Sequence, residues 1–238
     1  MRFFYFIILF SLILTFSCKK KSAEPESAPV THSPDYSDAY SMLQTTKSIS
    51  NIHGVVTKDS SGMAVFFEKP LKYSTNLIFI SAGNVTLNDS VLYYDSQTYS
   101  SYLPANFTSP VKWAVAGSGT VTPFTYTQMP NYPVYNGGNL LPDTCIKSNG
   151  ITINVSGVSN TSMGVSLFLN GSSVSLNKYI ANSGNGTVVF SASEIAGMNI
   201  NSNVTLQLMM SNYNIQTLNG VVHNFVSTTS YQIQIWLK

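Results

Sequence analysis

Few side chains in this 238-residue chain could carry chemistry, and those few stand apart from one another. The histidines are His32, His53 and His223, the last two isolated in strand-like runs where a histidine ordinarily serves packing rather than proton transfer. No grouping of His and Cys supplies the three or four ligands that zinc requires, so no metal is expected. Neither a G-x-S-x-G elbow nor a phosphate-binding loop occurs, and Gly117-Ser118-Gly119 reads as a turn. The acids beyond residue 36 are Asp38, Asp59, Glu68, Asp89, Asp95, Asp143 and Glu194. Glycoside hydrolysis needs two carboxylates held about 5 to 10 Å apart, yet Asp59, Asp89, Asp95 and Asp143 occupy turn-like contexts where Asp bonds its own backbone. Asn88, Asp89 and Asp95 lack the spacing of an EF-hand. This pattern points away from catalysis: no catalytic residue, metal or cofactor is assigned, and a hydrolase using dispersed carboxylates stands as an alternative.

Tyrosine is the compositional oddity, because Tyr93, Tyr94, Tyr99, Tyr102, Tyr126, Tyr132 and Tyr135 crowd into one stretch. On loops, tyrosines present large, rigid contact area and a hydroxyl at low entropic cost, which suits a glycan or a protein partner. In strands they fill half-buried faces, and Tyr93, within Val91 to Tyr94, is expected in the core. Tyr99, Tyr102, Tyr132 and Tyr135, flanked by Ser, Pro and Asn, are the expected ligand-binding residues.

Composition narrows the classes further. Charged residues make up 9% of the chain, against about 25% in an ordinary soluble domain, and Ser, Thr and Asn supply the polar surface in their place. Arg2 is the only arginine, and from residue 36 onward eight lysines face seven acids, a difference of one. Without guanidinium forks or a basic face, nucleic-acid binding is not expected.

The amino-terminal stretch bears on where the chain resides. Arg2 is followed by Phe3 to Phe16, a run of apolar and small hydroxyl residues, and then by Ser17-Cys18-Lys19. A spanning helix needs about 20 apolar residues, whereas a signal-peptide core needs about 7 to 15 and ends at small residues. A small residue directly before a cysteine resembles the lipobox of bacterial lipoproteins, with Thr15 and Phe16 standing where the pattern usually has Leu and a small residue. The resemblance implies cleavage before Cys18, acylation of Cys18 by palmitate-type chains, and anchoring in the cell envelope, with an outer-membrane site facing the periplasm or the surface. Cys145 is then left alone and is expected to pack as a small hydrophobe.

The elements that must position any site follow. Residues 19 to 35 are rich in Lys, Glu, Ser, Ala and Pro and read as a tether reaching roughly 50 Å when extended. The expected organisation is 1–17 signal peptide, 18–47 acylated cysteine and tether, 48–138 an N-terminal β-sandwich module, and 139–238 a C-terminal immunoglobulin-like β-sandwich. Asn51 to Lys58 and Met63 to Lys69 flank Asp59-Ser60-Ser61-Gly62 and read as a hairpin. Val111, Trp113 and Val115 alternate with smaller or polar residues as in a half-buried strand. Pro123, Pro130, Pro133, Pro142 and Gly137-Gly138 interrupt any ladder between Thr122 and Pro142. Beyond it, Ile151 to Val155, Gly164 to Leu169, Val174 to Ile180, Thr187 to Phe190, Val204 to Met210, Val221 to Ser227 and Gln232 to Leu237 are seven expected strands. Asn170-Gly171 and Asn185-Gly186 offer positive-φ turns, and Ser191 with Glu194 offers a capping box for a helical Ala192 to Met198.

Trp113-Ala114-Val115-Ala116-Gly117, Pro123-Phe124, Leu141-Pro142-Asp143 and Val188-Val189-Phe190-Ser191-Ala192-Ser193-Glu194-Ile195 together resemble a group of uncharacterised Bacteroidota-type lipoproteins with immunoglobulin-like β-sandwich modules. The resemblance implies an acylated envelope protein and carries no activity or site residues. The sequence thus points to an all-β, lipid-anchored protein that binds a glycan or protein partner. The alternatives are a structural or assembly subunit that pairs sheet edges and the hydrolase named above.

Overall fold

The computed structural model describes residues 37–52, 54–73, 77–103, 110–161, 164–171, 174–181 and 184–238, without the side chains of Tyr73, Tyr102, Leu103 and Asn139. The expected signal peptide, Cys18, His32 and His53 lie outside the described residues. The described residues from 37 to 238 belong to one compact unit, and it is all-β.

The first half carries β1 (Ser41–Ile52), β2 (Val55–Phe66), β3 (Val85–Leu87), β4 (Ser90–Val91), β5 (Tyr93–Tyr94), β6 (Tyr99–Leu103), β7 (Val111–Val115), β8 (Phe124–Gln128) and β9 (Val134–Tyr135). The second carries β10 (Thr144–Cys145), β11 (Ile151–Val155), β12 (Val158–Ser159), β13 (Val165–Asn170), β14 (Ser175–Ile180), β15 (Gly186–Phe190), β16 (Ser202–Leu218) and β17 (Val221–Leu237). Alternation builds the cleanest of them. On β7, Val111, Trp113 and Val115 are buried; on β11, Ile151, Ile153 and Val155 are buried while Thr152 and Asn154 face water.

One large sheet of nine strands organises the molecule, in the order β14-β13-β16-β17-β1-β2-β6-β5, with β10 also pairing with β17. Most pairs are antiparallel, but β1 runs parallel to β17 from Ser41 opposite His223 to Asn51 opposite Ile233. A four-stranded sheet, β4-β3-β7-β8, and a two-stranded sheet, β11-β15, complete two layers of core. The first core joins Leu43, Phe66 and Phe225 of the large sheet to Leu87, Trp113 and Phe124 of the four-stranded one. The second joins Leu167, Leu208, Tyr231 and Ile235 to Ile151, Ile153 and Phe190. Residues on β1 and β17 that reach either core (Leu43, Ile49, Phe225, Tyr231, Ile233, Ile235, Leu237) are all odd-numbered. Because strand side chains alternate and the register is unbroken, both cores lie on the same face of one sheet.

Several local expectations are corrected. β1 begins at Ser41, inside the stretch expected as tether. Asp59-Ser60-Ser61-Gly62 is not a turn: it lies within β2, held between β1 and β6, and the chain reverses next to Gly54 at φ 82°. The two expected strands Val221–Ser227 and Gln232–Leu237 are one continuous 17-residue strand. Its partner β16 is equally long, and Asn219 (φ 51°) with Gly220 (φ 78°) closes the hairpin. Asn170-Gly171 and Asn185-Gly186 do not take positive φ. Ala192 to Met198 is a run of turns, although the Ser191–Glu194 box forms: Ser191 N donates to Glu194 Oε2 at 2.8 Å and Glu194 N to Ser191 Oγ at 3.3 Å.

Candidate functional site

Between the two cores the inward face of the large sheet turns polar. Register places Asn212, Ser227, Thr45 and Gly62 in one row across β16, β17, β1 and β2. The next row holds Thr229, Lys47 and Ser60. Gly62 contributes no side chain beside Thr45.

The proline-broken connection after β8 roofs this belt. Asn212 Nδ2 donates to Asn131 O at 2.7 Å, and Thr229 Oγ1 donates to Pro133 O at 2.6 Å. Asn214 Nδ2 donates to Tyr126 OH at 2.9 Å and to Gln128 Oε1 at 3.2 Å. Tyr132 closes the middle, with the Lys47 ammonium 4.4 Å from its ring centroid, a cation–π distance. Prolines at 130 and 133 thus set an irregular backbone whose carbonyls are answered by side chains of the sheet below.

Three hydroxyls in this belt have no hydrogen-bond partner: Thr45 Oγ1, Ser60 Oγ and Tyr132 OH, with Gln128 Nε2 at its edge. Thr45 is 1% and Ser60 3% exposed. Burial raises the Tyr132 pKa, and the nearby Thr45 hydroxyl partly offsets that rise, although the two do not reach hydrogen-bond geometry. The phenol is therefore neutral and available as a donor. Lys47 is, among the described residues, the one half-buried lysine with neither a carboxylate nor a carbonyl partner. Lys72, Lys112 and Lys178 pair with Asp38, Asp89 and Glu194, Lys147 donates to Met198 O at 2.7 Å, and the others are exposed.

The expected ligand tyrosines separate. Tyr132 joins the belt. Tyr135 is half-buried against the second core, edge-on to Tyr231 at 4.9 Å, and burial raises its pKa strongly. Tyr99 is a correction: it is 2% exposed, because β6 turns it inward against Phe66 and Tyr94. Its hydroxyl accepts from Ala82 N at 2.8 Å and donates to Gly83 O at 2.9 Å, so it is a satisfied core residue. Tyr102 lies on β6, and its side chain is outside the described residues. Tyr93, expected in the core, is 74% exposed.

Other groups serve the fold. His223 is buried against the Phe124 ring at 4.3 Å, its Nδ1 2.8 Å from Ser41 Oγ, and burial pushes its pKa down to about 4. Asp95 Oδ1 accepts from Thr98 N at 3.0 Å within its own turn. Cys145 is half-buried beside the second core, and burial, followed by the charge of Asp143, raises its pKa. Glu194 is held at about 2 by the Lys178 ammonium and by Ser191. Among the described residues no three His, Cys, Asp or Glu side chains converge on a metal position, and no helix is long and apolar enough to cross a membrane.

Sequence reasoning missed Thr45, Lys47 and Ser60, having placed the first two in a tether and the third in a turn. A signal was present in the partner strands. Ser227-Thr228-Thr229-Ser230 and Ser211 to Asn214 are polar blocks set inside apolar runs, and their alignment marks the belt. Comparison of the chain with protein-family models, with curated proteins and with solved structures finds no match.

Proposed function

We propose that this protein is a non-enzymatic, lipid-anchored component of the bacterial cell envelope that binds a glycan at the polar belt between its two cores. One observation carries the reading: Thr45 Oγ1, Ser60 Oγ and Tyr132 OH are unpartnered within one belt, beside Lys47. Buried polar groups are almost always hydrogen-bonded, and each one left unpaired costs about 1 to 3 kcal/mol. Hydroxyl groups of a saccharide supply both the donors and the acceptors that these side chains lack, and Tyr132 adds a rigid aromatic surface.

The anchor rests on the Ser17-Cys18 junction and the tether after it. Labelling of cells with a palmitate analogue should mark the wild-type chain and not Cys18→Ala. Protease shaving of intact against lysed cells then assigns the facing. For binding, the full chain in detergent is applied to a saccharide array: retention that is lost with Tyr132→Phe supports the reading, and no retention on any saccharide sinks it.

A second reading, an assembly subunit, is favoured by the end of the β1–β2 hairpin, where Ile52, Val55 and Val56 are 40%, 65% and 54% exposed. Such an aliphatic tip suits a protein partner. It predicts self-association in light scattering that Val55→Ser with Val56→Ser abolishes.

A further inference from the structure

We infer that the belt selects saccharides carrying a singly charged oxyanion, a carboxylate or a sulfate ester, with Lys47 as the charge partner. The inference rests on the belt being the binding face and names the class of ligand it takes. Lys47 is half-buried as a residue, the ion pairs of the described residues give its ammonium no carboxylate, and register surrounds it with neutral groups: Thr229 on one side, Ser60 on the other and the Tyr132 ring above. The cation–π contact leaves the net charge of the belt at +1. Around it stand three unpartnered hydroxyls, on Thr45, Ser60 and Tyr132; all three are closed off from solvent, so a ligand reaches them only where Tyr132 moves aside, and each can then donate to an anionic oxygen. With burial keeping the Tyr132 phenol neutral, the set is one cation and three donors, which matches one oxyanion in charge and in lone pairs.

Charge also limits the choice. A phosphate monoester carries about two negative charges at neutral pH, one more than Lys47 neutralises, and no arginine follows residue 2 to supply a second cation in fork geometry. A neutral sugar would offer the ammonium no opposite charge. A monoanion removes both problems, and a sugar hydroxyl beside it meets Gln128 Nε2 at the belt's edge.

The test is calorimetric titration of the full chain in detergent with three probes of equal length: a galacturonic acid trisaccharide, a galactose trisaccharide bearing one sulfate ester, and neutral galactotriose. Hydrogen bonds to charged groups predict that at least one acidic probe binds about tenfold or more tighter than the neutral one. That preference should shrink several-fold between ~20 mM and ~250 mM salt. Lys47→Met, which keeps the apolar stem, should erase the preference, as should Ser60→Ala in part, whereas Lys58→Met on the exposed part of β2 should leave it intact. The uronate and sulfate arms decide which oxyanion is held. Equal binding of neutral and acidic probes, or a preference that survives Lys47→Met in a folded protein, overturns the inference while leaving glycan binding standing. Absence of binding to all three probes, with no retention on the array, removes both.

Discussion

The two cores and the belt between them occupy the same face of the same strands, yet they follow opposite rules. In the first core, β17 turns Phe225 inward against Tyr126 at 4.2 Å; in the second it turns Tyr231, Ile233 and Ile235 inward. Between them the same inward parity presents Ser227 and Thr229, and β1 presents Thr45 and Lys47. Alternation alone therefore does not set whether a sheet face is dry. The cores are closed by whole sheets, β3-β7-β8 and β11-β15, whose strands contribute their own apolar rows. The belt is roofed by an irregular segment whose carbonyls need donors, so polar side chains are suited there and apolar ones would leave those carbonyls unmet. The contrast teaches that the cores supply stability and that the belt is a buried polar layer with spare hydrogen-bonding capacity.

That contrast can be broken in several places. The largest effect is expected at Trp113, fully buried in the first core, where Trp113→Ala should destabilise by about 3 to 5 kcal/mol in chemical denaturation. A loss below about 1 kcal/mol would mean that this core is not what holds the sheets together.

Next comes pH. The His223 ring has a folded pKa of about 4, lowered by burial, against about 6.5 in an unfolded chain. Between those values the unfolded state binds the extra proton, so the stabilisation is present above pH ~6.5 and is lost as pH falls towards ~4. The total is roughly 3 kcal/mol, and His223→Gln should flatten the profile in that window. An unchanged profile would show that His223 is not the group responsible.

Smaller still is Gly220→Ala in the hairpin that carries β16 and β17 through both cores and the belt. Nothing crowds a Cβ there, but φ is +78°, so the cost is the backbone's alone, about 1 kcal/mol. A much larger loss of melting temperature would indicate that the hairpin end is packed against something else. The smallest effect is expected within the belt: Thr45→Val removes an unpartnered hydroxyl at nearly constant shape, and stability should be unchanged or slightly raised.

Much of this architecture is legible in the residues, and the exceptions have physical causes. β7 and β11 are readable because large apolar residues alternate with polar ones over a strand's length. β1 and β2 are not, because Thr45, Lys47 and Ser60 are strand residues whose side chains face a polar belt and Gly62 stands among them with no side chain, so the run imitates linker and turn chemistry. Thr228 to Ser230 mimic a break in β17 because Thr229 faces the belt while Thr228 and Ser230 meet the polar Ser211 and Gln207 on the opposite face. Tyr99 and Tyr93 exchange their expected places because a run of Tyr, Ser and Gln offers no apolar contrast to fix the parity of β5 and β6. Tyr132 was found by its type and its proline neighbours, whereas its companions in the belt come from sequence positions about 70 to 100 residues away, joined only by register.

The central claim is that the belt is kept for binding and not for folding. Its most direct test is equilibrium urea unfolding of the double variant Thr45→Val, Ser60→Ala beside the wild-type chain. The account predicts a free energy of unfolding equal to or above that of the wild type. A loss of about 3 kcal/mol, the size expected from a core truncation, would show that these hydroxyls are structural members of the sheet and would contradict the account.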